Sequence, residues 1–459
     1  MMQNISNTIA AIATGQAAGG IGIVRISGTD AFRVADSVFT AVSGRRLADS
    51  AGYRAHFGRV YDGSGWEDET VAIVYAAPHS YTGENVVELC CHGGITSTRL
   101  TLSACLNAGA HPAAAGEFTR RAFENGRLSL TQAEAVMNVI SAEGKQAALA
   151  AQAAHDGRLA QRIRAVSAGL ISLAGKLAAW CDFPDEEEIP AVTREELIEG
   201  LRPAVDELNR MTSEGERGRL LQGGIDAVIC GKPNVGKSTL MNLLAGCEKS
   251  IVTEIPGTTR DIVEEKITVG DCVLRLSDTA GIHDTDDLIE NIGVDRAKKR
   301  LAECALVLAV FDGSRELDED DMQLLESVGD RPCVAIINKN DREQAADEEL
   351  IRSRIAHTVS ISAAGGDGID RLEKAIMEVT ELDRLDPLAG IIINERQLDC
   401  ARRALEAAKE ALEATENGMT FDAVNVSICD ALDALEELSG VKATESVVAE
   451  VFSRFCVGK

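Results

Sequence analysis

Apolar and polar positions change their period along the chain, and each change predicts a different kind of element. Up to about residue 125, short runs such as Ile21-Gly22-Ile23-Val24-Arg25-Ile26 and Thr70-Val71-Ala72-Ile73-Val74-Tyr75 read as strands, and stretches such as 97–106 as helices. Glycines at 19–20, 28, 83 and 93–94 mark the turns, so this part is α+β. From about 128 to 218 helix dominates, with Thr131-Gln132-Ala133-Glu134 as its expected capping box. The acidic run Asp182-Phe183-Pro184-Asp185-Glu186-Glu187-Glu188-Ile189-Pro190 interrupts it and reads as an exposed loop. Between about 221 and 383 buried strands alternate with helices: Ile225 to Cys230, Val273 to Ser277, Ala305 to Phe311, Cys333 to Ile337 and Val359 to Ser362. That alternation predicts a mostly parallel sheet covered on both faces. After about 385 helical spacing returns in Leu398, Ala401, Leu405, Ala408 and Leu412, then in Ile428, Leu432 and Leu435. The expected parts are an α+β domain over 1–126, helical segments over 127–220 and 384–459, and an α/β module over 221–383. The helical segments read equally as one domain split by an insertion or as two bundles.

Inside the α/β part, Gly231-Lys232-Pro233-Asn234-Val235-Gly236-Lys237-Ser238 fits the G-x-x-x-x-G-K-[ST] phosphate loop, between a predicted strand and a helix opening at Thr239. In such a loop successive N–H groups and the positive helix end face phosphates, Lys237 reaches the β/γ oxygens, and the Ser238 hydroxyl ligates magnesium. Thr253-Glu254-Ile255-Pro256-Gly257-Thr258-Thr259 follows where a magnesium-sensing loop is expected, with Thr259 the second protein ligand. In Asp278-Thr279-Ala280-Gly281, Asp278 would hold the metal through water, and the Gly281 N–H would meet the γ-phosphate. Asn338-Lys339-Asn340-Asp341 gives N-K-x-D. A carboxylate at its last position accepts hydrogen bonds from guanine N1–H and its exocyclic amine, which adenine cannot supply, so leaving Asp341 unpaired rejects ATP. Ser362-Ala363 is expected to offer a backbone N–H to guanine O6. The ligand expected is GTP. Where many GTP switch proteins carry a water-positioning glutamine after D-T-A-G, this chain has apolar Ile282, which leaves Glu290 as the candidate for placing water and Asn234 as a candidate for holding a monovalent cation.

Length and charge narrow the picture. The chain has 459 residues, room for about three domains at ~150 residues each. Its net charge of −27 argues against nucleic-acid binding over the whole surface, so any RNA contact must be local. Candidate basic spots are Arg120-Arg121 with Arg127, Arg217 with Arg219, and Lys298-Lys299-Arg300. The twelve cysteines form no C-x-x-C pair, so reduced thiols in a cytoplasm are expected, with Cys90-Cys91 facing opposite sides of a strand. No apolar run suggests a membrane span, and Met1-Met2-Gln3-Asn4 does not open a signal peptide.

Together these residues resemble the tRNA modification GTPase MnmE (TrmE) family. The GTPase motifs alone also fit a regulatory switch of ribosome assembly. Gly19 to Gly28, Tyr81-Thr82-Gly83-Glu84-Asn85, Gly116-Glu117-Phe118-Thr119, Leu130 to Ala135, Asp182 to Glu187, Glu290-Asn291-Ile292-Gly293 and Phe455-Cys456-Val457-Gly458-Lys459 carry the resemblance beyond those motifs. It implies a multidomain fold: an N-terminal α+β folate-binding and dimerisation domain, an all-α helical domain, and an inserted α/β Ras-like G domain. It also implies potassium-stimulated GTP hydrolysis on pairing of G domains in a homodimer, and an FAD-dependent partner, MnmG. Together the two proteins would add carboxymethylaminomethyl or aminomethyl groups to position 5 of wobble uridine in tRNA. Carried over by position, potassium contacts fall on Asn234, Thr253, Ile255 and Thr258, magnesium on Ser238 and Thr259, and water placement on Glu290. A reduced folate such as 5-formyl-tetrahydrofolate would meet Arg25, Glu88, Arg127 and Lys459. Two departures lie in this folate half: Thr14-Gly15-Gln16-Ala17-Ala18 lacks the family's prolines and arginine, and Arg127 stands where lysine is usual. Cys456, near the expected folate, is a candidate nucleophile toward the uridine ring or a structural thiol.

Overall fold

The computed structural model describes residues 7–15, 17–182, 191–246, 264–277, 304–329 and 331–459. The chain divides into two units, residues 1–137 with 436–459 and residues 138–435.

In the first unit, strands β1 (Ile9–Ile12), β2 (Ile21–Ser27), β3 (Phe39–Ala41), β4 (Arg54–Tyr61), β5 (Glu67–Tyr75), β6 (Val86–His92) and β7 (His111–Pro112) form a sheet ordered β3-β4-β5-β6-β2-β1-β7. Its neighbours are antiparallel except β1 and β7. A period of two sorts each strand: Val24 and Ile26, Ala72 and Val74, and Val87, Leu89 and Cys91 are buried, while Arg25, Tyr75, Glu88 and Cys90 alternate with them. The buried face shares a core with Val34 and Val38 of α1 (Ala31–Val38) and Cys105 of α2 (Ile95–Asn107). Helix α3 (Glu117–Glu124) and the start of α4 (Leu130–Ser141) supply Phe123, Leu130 and Ala133 to an apolar cluster completed by Phe452 and Phe455 at the end of the chain. Burying side chains of this size stabilises by roughly 2 kcal/mol each. The last helix, Glu445–Ser453, groups with the first unit, although it falls within the stretch 384–459 expected as the second helical segment. An amphipathic stripe predicts that a face is buried, not against which partner.

The capping box of α4 is Ser129 with Gln132, not Thr131 with Glu134. The Gln132 N–H donates to Ser129 Oγ at 3.3 Å, and the Ser129 N–H to Gln132 Oε1 at 3.1 Å. Thr131 lies within the helix, past the cap position, and is fully buried.

In the second unit, α5 (Lys145–His155), α6 (Arg158–Asp182) and α7 (Arg194–Gly223) precede the α/β part. Helix α6 is long and apolar enough, at a mean hydropathy of 1.2, to match a membrane span by length and composition. Its buried positions Leu159, Ile163, Val166, Leu170, Leu173 and Leu177 recur instead as the stripe of a core helix. Arg162 ties α6 to α7 through Glu207 at 2.8 Å and Glu214 at 2.7 Å. Helix α7 runs almost directly into β8 (Ile225–Cys230) through Gly224, whose φ of 79° suits glycine.

Helices α8 (Lys237–Gly246), α9 (Glu319–Val328), α10 (Glu348–Arg354) and α11 (Ile369–Val379) alternate with β9 (Glu264–Val269), β10 (Cys272–Ser277), β11 (Leu306–Asp312), β12 (Cys333–Asn338) and β13 (His357–Ser360). The sheet order is β13-β12-β11-β8-β10-β9, parallel throughout except for β9 against β10. Strands β11 and β12 are buried at every position because both faces are covered. Leu308, Val310 and Ile336 share a core with Leu240 of α8 and Leu372 of α11, whereas Val307, Phe311 and Ile337 meet Leu325 of α9 and Ile351 of α10. Strand β13 begins and ends two residues earlier than expected, which leaves Ser362 outside the ladder. Helices α12 (Glu395–Glu416) and α13 (Phe421–Ser439) follow, and Leu398 of α12 lies against Gly215 of α7.

Candidate functional site

At the end of β8 the chain turns sharply and enters α8, which brings the 231–236 loop to the first turn of a helix. Glycine is required there: Gly231 has φ of 149°, and a Cβ on it would lie 2.4 Å from the Val310 carbonyl oxygen. A Cβ on Gly236, at φ 101°, would lie 2.2 Å from Asn338 Nδ2. Asn234 also sits in the left-handed region, at φ 65°. Lys237 folds back over the loop and donates to the carbonyls of Gly231 and Lys232, each at 2.7 Å, and burial pulls its ammonium below the ordinary lysine value. Ser238 and Thr239 are exposed in the first turn of α8, and Val235 is buried. An N-terminal helix turn with exposed hydroxyls and a nearby ammonium is suited to phosphate and its counter-cation.

The N-K-x-D segment leaves β12 beside this loop. Asn338 is 3% exposed; its Nδ2 donates to the Val235 carbonyl at 2.8 Å, and its Oδ1 accepts the Ala363 N–H at 2.9 Å. Lys339 donates to the Asn234 carbonyl at 3.0 Å and to Asp312 Oδ2 at 2.6 Å. Burial raises the Asp312 carboxyl, but hydrogen bonds from Lys339 and Ser314 outweigh it and leave Asp312 below its ordinary value. Asp341 is exposed, accepts from Ser362 Oγ at 2.7 Å, and is held below its ordinary value first by that bond. Ser362 and Ala363, expected to offer N–H groups to a base, donate theirs within the fold, to the Asp367 carbonyl at 3.1 Å and to Asn338 Oδ1 at 2.9 Å. The Ala363 N–H is thus already engaged by Asn338.

Several expected positions lie outside the described residues: Thr253, Glu254, Ile255, Pro256, Gly257, Thr258 and Thr259, Asp278, Thr279, Ala280 and Gly281, Ile282, Glu290, Lys298 to Arg300, Gln16, and Phe183 to Pro190. Sequence reading passed over Lys232, Asp312, Asp318 and Asp321. Lys232 occupies a free position of the phosphate motif, and its ammonium meets Asp318 and, at 2.8 Å, Asp321.

A second cluster forms in the first unit. The register of β2 against β6 sets Arg25 opposite Glu88, and Arg25 Nε donates to Glu88 Oε1 at 2.8 Å. Tyr75 donates to the other carboxylate oxygen at 3.3 Å. The Arg25 guanidinium lies 5.6 Å from the ring centres of both Tyr81 and Phe118 and donates to the Gly458 carbonyl at 3.3 Å. The chain end is held there by main-chain bonds: the Gly116 N–H to the Cys456 carbonyl at 3.3 Å and the Phe118 N–H to the Lys459 carbonyl at 3.2 Å. Arg25, Glu88 and Lys459 are thus brought to one place. Arg127 takes no part in these contacts and is exposed, its stem beside Gly83. Cys456 is an exposed free thiol.

Comparison with known proteins joins the two clusters in one lineage. The family model for the GTP-binding protein TrmE N-terminus matches residues 8–127, and that for the MnmE helical domain matches residues 130–456. The chain belongs to the MnmE family. Curated relatives named tRNA modification GTPase MnmE match end to end. That of Symbiobacterium thermophilum is 41% identical over 98% of this chain and 99% of its own, and that of Geobacter sulfurreducens 39% identical over 99% and 100%. That of Clostridioides difficile (strain 630) is 38% identical over 99% of this chain and all of its own. The likeness spans both clusters, so the family accounts for the N-terminal domain and tail as well as for the phosphate loop.

Proposed function

We propose that this protein is a cytoplasmic GTP hydrolase acting in the modification of wobble uridine in tRNA. The observation that carries this reading is the convergence of the 231–238 loop, Asn338-Lys339 with Asp341, and Ser362-Ala363 through Asn338, in a chain whose full-length relatives are named tRNA modification GTPases. Lys237 now bonds two loop carbonyls, and turning from them to phosphate oxygens would exchange neutral acceptors for charged ones. Asp341 selects guanine. Ser238, exposed at the helix start, is suited to magnesium with Thr259, and Glu290 is proposed to place the attacking water. Asn234 is proposed to hold potassium with Thr253, Ile255 and Thr258, supplying positive charge near the phosphates. Its left-handed backbone is steadied by the Lys339 bond to its carbonyl, and the residue is exposed, which is compatible with that role.

For the first unit, a reduced folate is the proposed one-carbon source, bound by Arg25, Glu88, Arg127 and Lys459. The cationic, carboxylate and aromatic groups around Arg25 suit a ring with N–H donors and a tail with carboxylates. Homodimerisation through this domain and work with the FAD protein MnmG complete the proposal, with Cys456 the candidate nucleophile.

The deciding experiment is nucleoside analysis of tRNA from cells lacking the protein, beside GTP hydrolysis by the purified chain in potassium and in sodium. Loss of the 5-substituent on wobble uridine and faster turnover in potassium are expected. An unchanged wobble uridine would sink the tRNA reading, and equal rates would remove Asn234 from its role. Replacing Glu290 by Ala should slow hydrolysis while GTP binding survives.

A further inference from the structure

The phosphate motif leaves its second position free, yet the residue there is among the most heavily tied in the loop. The Lys232 side chain is 11% exposed and shared between Asp318 and Asp321. Both carboxylates are also held by backbone N–H groups. Asp318 Oδ1 accepts the N–H groups of Asp320 at 3.1 Å and Asp321 at 3.3 Å, and Asp321 Oδ2 accepts the Asp318 N–H at 3.2 Å. This reciprocal cap opens α9, and Leu325 and Val328 root the helix in the core beside Phe311. The cap is therefore a fixed point. From the main chain of the same residue, the Lys232 carbonyl accepts Lys237 Nζ at 2.7 Å.

We propose that Lys232 is a positioning residue for nucleotide binding, its side chain clamping the phosphate loop to the Asp318–Asp321 cap so that the loop's N–H groups and Lys237 are ordered before phosphate arrives. A loop already ordered loses less freedom on binding, so the clamp acts on affinity and residence time. It does not touch the reacting atoms and leaves the chemical step at saturation unchanged. The inference rests on the reading of this loop as a GTP site.

The test is release of a fluorescent GDP analogue from the full chain, with GTP turnover and thermal melting measured alongside. Lys232→Met should release GDP about tenfold faster, with kcat at saturating GTP within about twofold of wild type. Lys232→Arg, which can reach both carboxylates, should restore slow release. Asp318→Asn should quicken release in the same direction and add little on top of Lys232→Met, because the two residues act through one contact. If Lys232→Met does not fold, Asp318→Asn carries the test alone. A lowered melting temperature with unchanged GDP release, or full additivity in the double variant, would overturn the clamp and leave a merely structural ion pair. A wild-type chain that binds no GDP would overturn the GTP reading itself, whereas tight wild-type binding with unaltered variants overturns only this inference.

Discussion

The side-chain amide of Asn338 donates to the carbonyl of Val235 across 2.8 Å, and its other end accepts the Ala363 N–H at 2.9 Å. One buried residue thus fastens the phosphate loop to the loop expected to face the base. Its replacement by alanine strands a carbonyl and an N–H in a dry place, a loss of about 2–3 kcal/mol in stability. Asn338→Ala should therefore melt at a lower temperature and bind GTP at least roughly tenfold more weakly, since both loops lose their common anchor. Melting and titration of the same preparation check this. Unchanged affinity in a folded variant would show that the bridge does not order the site.

Asp341 is the residue proposed to carry the choice of base. Its carboxylate is exposed and already accepts from Ser362, so an acceptor stands ready for guanine N1–H and the amine. Asp341→Asn replaces one acceptor oxygen by a donor. Losing one hydrogen bond to a charged group and setting an amide donor against the guanine amine should weaken GTP by about two orders of magnitude. Xanthosine triphosphate, which has a carbonyl where guanine has the amine, should compete better against the variant than against the wild type. A competition titration with both nucleotides decides it, and equal preference in the two proteins would remove Asp341 from this role.

The same residue sets a pH dependence. The Ser362 hydrogen bond holds Asp341 below its ordinary value of 3.8. A depressed carboxyl contributes its charge-dependent interaction above the ordinary value and loses it as pH falls through the depressed one. The contribution of Asp341 to GTP affinity should therefore be level from neutral pH down to about 5, where a carboxyl of ordinary pKa is still mostly ionised. Ser362→Ala should shift the acid limb of that profile upward. An acid limb centred near pH 6 would point to a histidine or to some other group.

How much of this was legible beforehand follows from which interactions leave a mark on residue type. The phosphate loop was readable because Gly231 and Gly236 cannot carry a Cβ and Lys237 cannot be exchanged, so the chemistry fixes the letters. The parallel sheet was readable because β11 and β12 are apolar at consecutive positions, which only burial on both faces explains. Lys232 was not, because the motif tolerates any residue there and its partners lie 86 and 89 positions later, at the cap and first turn of α9. The cap of α4 was misread because Ser129-x-x-Gln132 and Thr131-x-x-Glu134 overlap, and the start of the helix at Leu130 rather than either pattern decides between them. Arg25 and Glu88 were picked out by resemblance. Their pairing is a matter of strand register, which no local pattern displays.

Arg25→Ala tests that pairing. The side chains of Arg25 and Glu88 are 17% and 15% exposed, so removing the guanidinium leaves a mostly buried carboxylate with Tyr75 as its remaining donor in this cluster. Breaking a buried pair from one side costs up to about 3 kcal/mol. The variant should melt lower and bind a reduced folate weakly or not at all by calorimetry. Arg25→Lys keeps the charge but not the planar guanidinium beside Tyr81 and Phe118, so it should recover stability in part and folate binding poorly. Full recovery of both by lysine would mean that charge alone matters.

Gly458 sets how the chain end docks. Its φ is 95°, and a Cβ there would lie 2.2 Å from the Ile12 carbonyl oxygen, backbone that cannot swing aside. Gly458→Ala should therefore release the last residues rather than unfold the domain, because Phe452 and Phe455 keep their own apolar cluster. Release breaks the Phe118 N–H bond to Lys459 and the Arg25 bond to Gly458. Carboxypeptidase should then trim the variant's end faster than the wild type's, while the melting temperature falls only slightly. Weaker folate binding is expected together with the trimming, since Lys459 leaves the cluster around Arg25. If the end is trimmed faster but folate binds as before, Lys459 is not among its ligands and Arg25 with Glu88 must hold it unaided. If neither changes, the tail tolerates a Cβ and its docking is looser than the contacts with Ile12 require.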